Sequence, residues 1–498
     1  MADLGNGAVV EMALMGLTHG PGLELAGGIT GGVEVVVAGD LGQSSTPEAV
    51  VTLMQIGPGG EVAGGAGLTG GIRGKNNGSH RTPPEGSGGV QALWARFRSG
   101  CYQDYESLPG PRQRTAPRLL SAHGAPQHPL EWNPSQTPAL PVMPDQLTKL
   151  AYQTIQQGKG LFGLAHKEVS TRLMGLLAPG GAPKTVAVEP ELLGRLRSSM
   201  DALTERDWQE AEQGIYPASL LFDAPWLDWA ARYPLVWLDM PSTWARRNDR
   251  KVRDLPQDVE PEAYPDYYLQ NFHHQTDGYL SDHSASLYDL QVEILFNGTA
   301  DPMRRRVLAP LVRGLRAFQD RPAASIRVLD VATGTGRTLR QIRGALPKAQ
   351  LVGLDLSSSY LRQANRWLSE LPGELPQLVQ GNGEDLPFAD GSFQAVSCVF
   401  LLHELPGEAR QNVLNEAFRV LEPGGVVVLA DSVQLADSPQ FSTAMENFRR
   451  VFHEPYYRDY ISDDINTRLS MAGFEAITAE SHFMSRVWAA RKPGGSAP

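Results

Sequence analysis

Residues 328–340 read Val-Leu-Asp-Val-Ala-Thr-Gly-Thr-Gly-Arg-Thr-Leu-Arg, and they constrain the fold more than any other stretch. A short apolar run over 326–331, broken by Arg327, predicts a β-strand that ends at Asp330. Gly334 and Gly336 follow as a turn, and a helix-forming stretch begins after them. Glycines at the mouth of a parallel strand let the backbone come close to a ligand and tolerate positive φ. A second strand is predicted over 350–355 and ends in another carboxylate, Asp355. A carboxylate at the tip of the second strand can accept hydrogen bonds from both ribose hydroxyls of a nucleoside. The pattern is a nucleoside-binding βαβ unit.

The spacing argues against a dinucleotide. A G-x-G-x-x-G/A turn needs a small third residue so that the helix can pack under a pyrophosphate. Counted from Gly334, that place is held by Leu339, and Arg337 and Thr338 make no cradle for a pyrophosphate.

Four further segments follow in order: Leu354-Asp-Leu-Ser-Ser, Gly381-Asn-Gly-Glu-Asp-Leu-Pro-Phe388, Phe393-Gln-Ala-Val-Ser-Cys-Val-Phe-Leu-Leu-His-Glu-Leu405 and Arg419-Val-Leu-Glu-Pro-Gly-Gly-Val-Val-Val-Leu-Ala-Asp431. With the glycine turn they resemble, in sequence order, the motifs of the class I S-adenosylmethionine-dependent methyltransferases. The likeness covers roughly 270–490 and is greatest to the type 11 small-molecule branch that includes the quinone methyltransferases. It implies a doubly wound, seven-stranded Rossmann-like α/β sheet closed by an antiparallel pair, here 474–479 and 483–490. It implies S-adenosyl-L-methionine as cofactor, with Asp330, Ala332, Gly334, Gly336, Asp355, Leu356, Asn382, Gly383, Glu384 and Phe400 around it. Two positions depart from the family pattern. Ala332 replaces the first glycine of the turn. Asn382 replaces an aspartate that accepts from the adenine amino group, and an amide carbonyl can still accept but without charge.

Bulk properties narrow the class. The net charge is −11, and no block of like charge invites a nucleic-acid backbone. The two cysteines, Cys101 and Cys398, suggest a reducing, cytoplasmic setting rather than a disulfide framework. No run of about 18 apolar residues predicts a membrane span, and the N-terminus lacks the basic start of a secretory signal.

Residues 1–142 differ from the rest. They hold just over half of the 52 glycines and a single lysine, Lys75. Such a low-complexity segment cannot bury enough apolar area to offset ordering entropy. It is either a flexible regulatory arm or a non-native stretch upstream of a true start at Met143, and composition favours the second. Residues 143–265 are predicted to be a helical N-terminal extension docked on the domain at 266–491. Its expected parts are an amphipathic helix over 145–176, a helical pair over 188–213 with Thr204 capping the second member, and an irregular Pro/Trp/Tyr-rich segment over 214–266.

Methyl transfer from a sulfonium asks a protein chiefly to position the acceptor and exclude water. A general base matters only where the acceptor loses a proton. His403 after the fourth strand and Asp431 at the end of the fifth are the catalytic candidates; the alternatives are a shaping role for His403 and a capping role for Asp431. Two aromatic and polar clusters are predicted to hold the acceptor. One is Phe272, His273, His274, Asp277, Gly278 and Tyr279. The other is His453-Glu-Pro-Tyr-Tyr457, which lies where the resembling enzymes keep a substrate lid. The acceptor residues are accordingly Phe272, His274, Tyr279, His453 and Tyr456. No compact H-x-x-x-H or C-x-x-C spacing predicts a metal. The expected acceptor is a small hydrophobic or aromatic molecule, not a nucleic acid. The rival readings are a non-catalytic cofactor-fold binding module and a nucleotide-dependent oxidoreductase.

Overall fold

The computed structural model describes residues 145–177 and 185–494. The expectations for 1–142, for Met143 and for the break at 178–183 lie outside the described residues.

Three long helices come first: α1 (Gln146–Leu177), α2 (Pro190–Glu212) and α3 (Trp226–Asp249). After an irregular lead-in come α4 (Asp282–Leu295), α5 (Ala300–Arg305) and α6 (Leu308–Gly314). The alternating part then runs β1 (Arg327–Val331), α7 (Arg337–Ala345), β2 (Gln350–Asp355), α8 (Ser358–Leu368), β3 (Gln377–Gln380) and β4 (Phe393–Val399). It continues through α9 (Gly407–Val420), β5 (Leu421–Ser432), α10 (Ser442–Val451), α11 (Tyr457–Tyr460) and α12 (Ile465–Met471) to β6 (Glu475–His482) and β7 (Ser485–Arg491).

The seven strands form one sheet in the order β3-β2-β1-β4-β5-β7-β6. Five are parallel, and β7 inserts antiparallel between β5 and β6. Val328 pairs with Leu351 on one side and Ala395 on the other, so β1 is central and buried on both faces. That is why its sequence reads as a continuous apolar run instead of alternating. Strand order reverses beside β1, between β2 and β4, and a ligand crevice opens there outside the carboxyl ends of the strands.

The N-terminal helices share the core of this sheet. Leu192, Leu193, Leu196 and Leu203 of α2 are buried together with Leu329, Val396 and Val427. Trp208 and Tyr216 join Val328, Leu339 and Val428. A buried polar knot lies between α2 and α5. Asp207 accepts from Tyr152 Oη at 2.6 Å, Tyr216 Oη at 2.7 Å and Arg305 Nη2 at 2.6 Å, and it also pairs with Arg306.

One local expectation holds and two change. First, the predicted helix over 145–176 is present as α1 and keeps its course through Gly158 and Gly160. Its glycines serve close packing: a Cβ on Gly163 would stand 2.6 Å from Asn297 Oδ1. Second, α2 is one helix, not a pair. Thr204 caps nothing; its hydroxyl bonds back to the Asp201 carbonyl at 2.9 Å. Third, much of 214–266 is helical: α3 runs through it with Pro234 and Pro241 in its interior. Each proline removes a backbone donor. Packing of Trp229 and Val236 on Leu287, Leu290 and Ile294 of α4 compensates. No helix joins β3 to β4. Among the described residues, no helix is long and apolar enough to cross a membrane.

Candidate active site

The glycine turn leaves β1 through alternating left-handed residues: Ala332 at φ 56°, Gly334 at φ 56° and Gly336 at φ 79°. Ala332 thus holds the conformation the family pattern gives to glycine, at a cost in strain. A Cβ on Gly334 would meet nothing within 4 Å, whereas one on Gly336 would press on Ala364 Cβ at 3.0 Å. Gly334 therefore borders open space, and Gly336 serves the packing of α7 against α8.

That open space is a cleft of about 120 Å³ at the carboxyl ends of β1, β2 and β4. Ala332, Gly334, Asp355, Leu356, Asn382, Gly383 and Phe400 line it, and so do Tyr268, Tyr279 and Tyr288 from the lead-in and α4. Asp355 Oδ2 accepts from the Gly334 N–H at 2.7 Å, and Oδ1 accepts from the Ser357 N–H at 2.8 Å. Burial pushes the Asp355 carboxyl up to about 6, opposed by those backbone donors. Capping of α8 falls to Ser357, whose hydroxyl accepts from the Tyr360 N–H at 3.2 Å.

Asp330, Gly336 and Glu384 stand behind the cleft wall. Asp330 is 1% exposed and its oxygens accept from Thr333 Oγ1 at 2.7 Å and Ser397 Oγ at 2.6 Å. It braces the turn. Glu384 accepts from Tyr267 Oη at 2.6 Å and Asn412 Nδ2 at 2.9 Å. Its backbone N–H donates to Asn382 Oδ1 at 3.0 Å, which fixes the amide carbonyl of the loop.

A second cavity of about 240 Å³ adjoins the cleft. Its walls come from α1, α3, α4 and α10 and from the turn after β4. Tyr288, Phe400 and Glu404 line both spaces. Phe400 holds φ 57°, and its ring stacks on Phe296 at 6.5 Å.

The predicted acceptor residues separate. His274 lines the cavity, and burial lowers its pKa to about 3, with His453 and Arg247 adding to the effect; the ring is neutral. Tyr279 lines the cofactor cleft instead and donates its phenolic hydrogen to Glu404. Phe272 is 1% exposed and stacks on Tyr279 at 5.5 Å, inside a small aromatic core. His453 lies off the cavity wall, with Nε2 at 2.8 Å from Gln270 Oε1. Tyr456 packs edge-on to Tyr267; its neighbour Tyr457 is the residue that lines the cavity.

His403 lines the cavity, and its Nδ1 stands 2.6 Å from Asp431 Oδ1. Burial opposes charge on this ring, yet Asp431, Glu454 and Glu404 hold its pKa up at about 10. Asp431 Oδ2 also accepts from the Leu402 N–H at 2.7 Å, and Oδ1 from the Ser432 N–H at 2.7 Å. Asp431 therefore both orients the imidazole and ties down the turn. Glu404 is pushed up to about 7 by burial, against the pull of His403.

Sequence reasoning passed over Tyr288, Glu404, Tyr457, Phe448, Phe452 and the α3 wall at Met240 and Trp244. Glu404 and Tyr457 stood inside quoted segments. Nothing in the α3 sequence marks it as facing a ligand.

A family model described as a methyltransferase domain matches residues 328–425. Over 153 residues the chain is 31% identical to an uncharacterized methyltransferase of Synechocystis, covering 30% of this chain and 68% of that protein. It is 34% identical over 152 residues to a demethylmenaquinone methyltransferase of Thermotoga maritima, covering 30% and 59%. It is 33% identical over 151 residues to a ubiquinone/menaquinone biosynthesis C-methyltransferase of Desulfotalea psychrophila, covering 30% and 56%. The chain spans little more than half the length of the two quinone methyltransferases among these relatives.

Proposed function

The chain belongs to the class I S-adenosylmethionine-dependent methyltransferases, and from that premise we propose that it methylates a small, flat, hydrophobic or aromatic acceptor held in the 240 Å³ cavity. One observation carries the proposal: the cofactor cleft and the cavity meet at Tyr288, Phe400 and Glu404. A methyl group leaving the cleft has to pass there to reach anything in the cavity. Two of the named relatives are a demethylmenaquinone methyltransferase and a ubiquinone/menaquinone biosynthesis C-methyltransferase, and a quinol ring is an acceptor of the kind proposed for this cavity.

The residues fit the cofactor. Gly334 borders the open cradle that an added Cβ would fill, and Asp355 stands at the second strand end with a carboxylate for the ribose. S-adenosylmethionine supplies a methyl group on a sulfonium, whose departure leaves a neutral thioether. The chain's own residues do the rest. Tyr268, Tyr279 and Tyr288 bring aromatic edges and faces to the cleft and keep water from it. Phe296, Phe400, Phe448 and Phe452 give the cavity ring surfaces against which a flat acceptor lies. His403, oriented by Asp431, offers the polar group that positions an acceptor oxygen.

The test is titration of the full chain with S-adenosylhomocysteine and with NAD, followed by S-adenosylhomocysteine release in the presence of quinols and phenols. Binding of S-adenosylhomocysteine with turnover on one of these acceptors is the expected result. Binding of NAD alone overturns the reading. Cofactor binding without turnover on any acceptor favours a non-catalytic module of the same fold.

A further inference from the structure

Four side chains from three distant segments converge beside the acceptor cavity: His273, His403, Glu404 and Glu454. Each offers one ligating atom, and these atoms lie within 4.8 Å of one another. The turn at Phe272–His274 carries the first, and the turn at Leu402–Glu404 carries the next two. Glu454 lies just beyond α10. The backbone N–H of His273 donates to the His453 carbonyl at 3.1 Å, which pins the first turn against the loop bearing Glu454.

Glu454 points to what the cluster is for. Its side chain is 0% exposed, and one oxygen is in ion-pair contact with His273 Nε2. Neither of its oxygens has a hydrogen bond of normal geometry. A buried carboxylate left in that state is costly unless a cation satisfies it. His403 adds an independent sign. Asp431 engages its Nδ1 at 2.6 Å, which fixes the ring and leaves Nε2 on the side of Glu404, at 3.9 Å from Oε1. A carboxylate behind one ring nitrogen with the other turned to a cluster is the arrangement that orients metal-ligating histidines. Glu404 also takes the phenolic hydrogen of Tyr279, which holds it in place.

We propose that His273, His403, Glu404 and Glu454 bind a first-row divalent cation of the Zn²⁺ type in the wall of the acceptor cavity. Two imidazole nitrogens and two carboxylate oxygens suit that class, whereas Mg²⁺ and Ca²⁺ select all-oxygen sets. Ligands around one such ion stand at about 2.0–2.2 Å from it, so any two ligands of a tetrahedral site are roughly 3.4 Å apart. Closing the cluster from its present spread asks for shifts below an ångström. Three of the four residues line the cavity, so a fifth ligand, on expansion to five-coordination, would reach the cation from that side. The ligand expected there is an acceptor hydroxyl or enol oxygen, which the ion would hold facing Phe400. That last clause rests on the acceptor reading above; binding of the cation itself does not.

The experiment uses the full chain, stripped with chelator and dialysed against Zn²⁺ alone, without cofactor or acceptor. One Zn²⁺ per chain retained through gel filtration is expected, with none retained when Mg²⁺ replaces it. Glu454→Gln and His273→Asn should each weaken binding at least tenfold, while His283→Gln, outside the cluster, leaves it unchanged. Retention of one Zn²⁺ by both cluster variants overturns the proposal, because surface histidines then hold it. Co²⁺ loading of the wild-type chain needs no variant to fold: visible d–d absorption is expected, and its absence overturns the proposal. Either failure leaves the cofactor and acceptor tests standing.

Discussion

The backbone N–H of Gly334 donates to Asp355 Oδ2 at 2.7 Å, so the first strand's glycine turn is fastened to the tip of the second strand before any ligand arrives. The same carboxylate faces the cleft with its remaining lone pairs. Asp355→Ala should therefore weaken S-adenosylhomocysteine binding by roughly 10–100-fold, as expected for lost charge-assisted bonds of about 1.5–3 kcal/mol. Calorimetric titration of the variant checks this. An unchanged affinity would reduce Asp355 to a brace for the turn.

Asp355 also predicts a pH dependence. Burial raises its carboxyl to about 6 in the ligand-free chain, above the ordinary carboxylate range. A raised acid is neutral in the fold at pH values where it would be ionised in the unfolded chain. Its burial penalty is present above about 6 and is relieved as pH falls through that value. Ribose hydroxyls favour the ionised form, so ligand binding runs the other way. S-adenosylhomocysteine affinity should fall as pH drops from 7 to 5, and the ligand should be bound with proton release near pH 6. Titrations in buffers of different ionisation enthalpy measure that release. Asp355→Asn should flatten the profile.

Asp207 stands between two guanidinium groups, Arg305 and Arg306, with Tyr152 and Tyr216 completing its hydrogen bonds. All of these side chains are buried. Asp207→Ala would strand Arg305 in the interior and leave Arg306 paired with Glu210 alone. The expected loss is about 3–5 kcal/mol of stability. A fall in denaturation midpoint read by circular dichroism checks it, and a fall below about 1 kcal/mol would mean that water reaches the arginines. Because Tyr152 belongs to α1 and Asp207 to α2, the same substitution should loosen the N-terminal helices from the sheet.

The sheet was legible because its signals are local. Strand, glycine turn and helix follow one another within 328–345, and Asp355 ends the next strand. What escaped were features decided by packing between distant segments. The periodicity over 145–176 marks α1 as a helix, but not that Gly160 and Gly163 lie against the Asn297 turn. Pro234 and Pro241 read as irregular chain, but the apolar stripe of α3 has a partner in α4. The same limit applies to the cavity. His403 and Asp431 stand at strand ends, where topology alone points to a ligand. Glu454 and Trp244 acquire their positions only through contacts with elements far along the chain. Compact motif spacing could not have disclosed the His273–Glu454 cluster, because its members lie on three separate turns and loops.

Tyr456 and Tyr457 are neighbours in sequence with different surroundings. Tyr457 is 2% exposed, lines the acceptor cavity edge-on to His403 and places its hydroxyl 2.8 Å from Ser432 Oγ. Tyr456 meets Tyr267 edge-on and does not line the cavity. Tyr457→Phe keeps the ring and removes the hydroxyl bond, costing about 1 kcal/mol of stability. Tyr457→Leu should lower turnover at least tenfold, with S-adenosylhomocysteine affinity changed by less than threefold. Tyr456→Leu should leave turnover within threefold. Steady-state rates normalised to folded protein decide this, and the reverse ranking would move the acceptor to the Tyr267 side.

The helices that precede the family-matched residues also reach the cavity. Trp244 of α3 forms part of the cavity wall, opposite rings contributed by the sheet-bearing region. If the N-terminal helices only covered the domain, trimming this side chain would cost stability and nothing else. A wall residue behaves differently, because its removal adds room where the acceptor lies. Trp244→Ala should raise the KM for a small acceptor and improve the relative rate on one carrying an extra alkyl branch. An apolar pocket discriminates by about 1–3 kcal/mol per methylene, so the preference between the two acceptors should shift by roughly 10-fold or more. S-adenosylhomocysteine affinity should stay within threefold, since Trp244 does not line the cofactor cleft. Competition assays with paired acceptors measure the shift. An unchanged preference together with a lowered melting temperature would make α3 a cover, and acceptor selection would then rest on α4, α10 and the turn after β4.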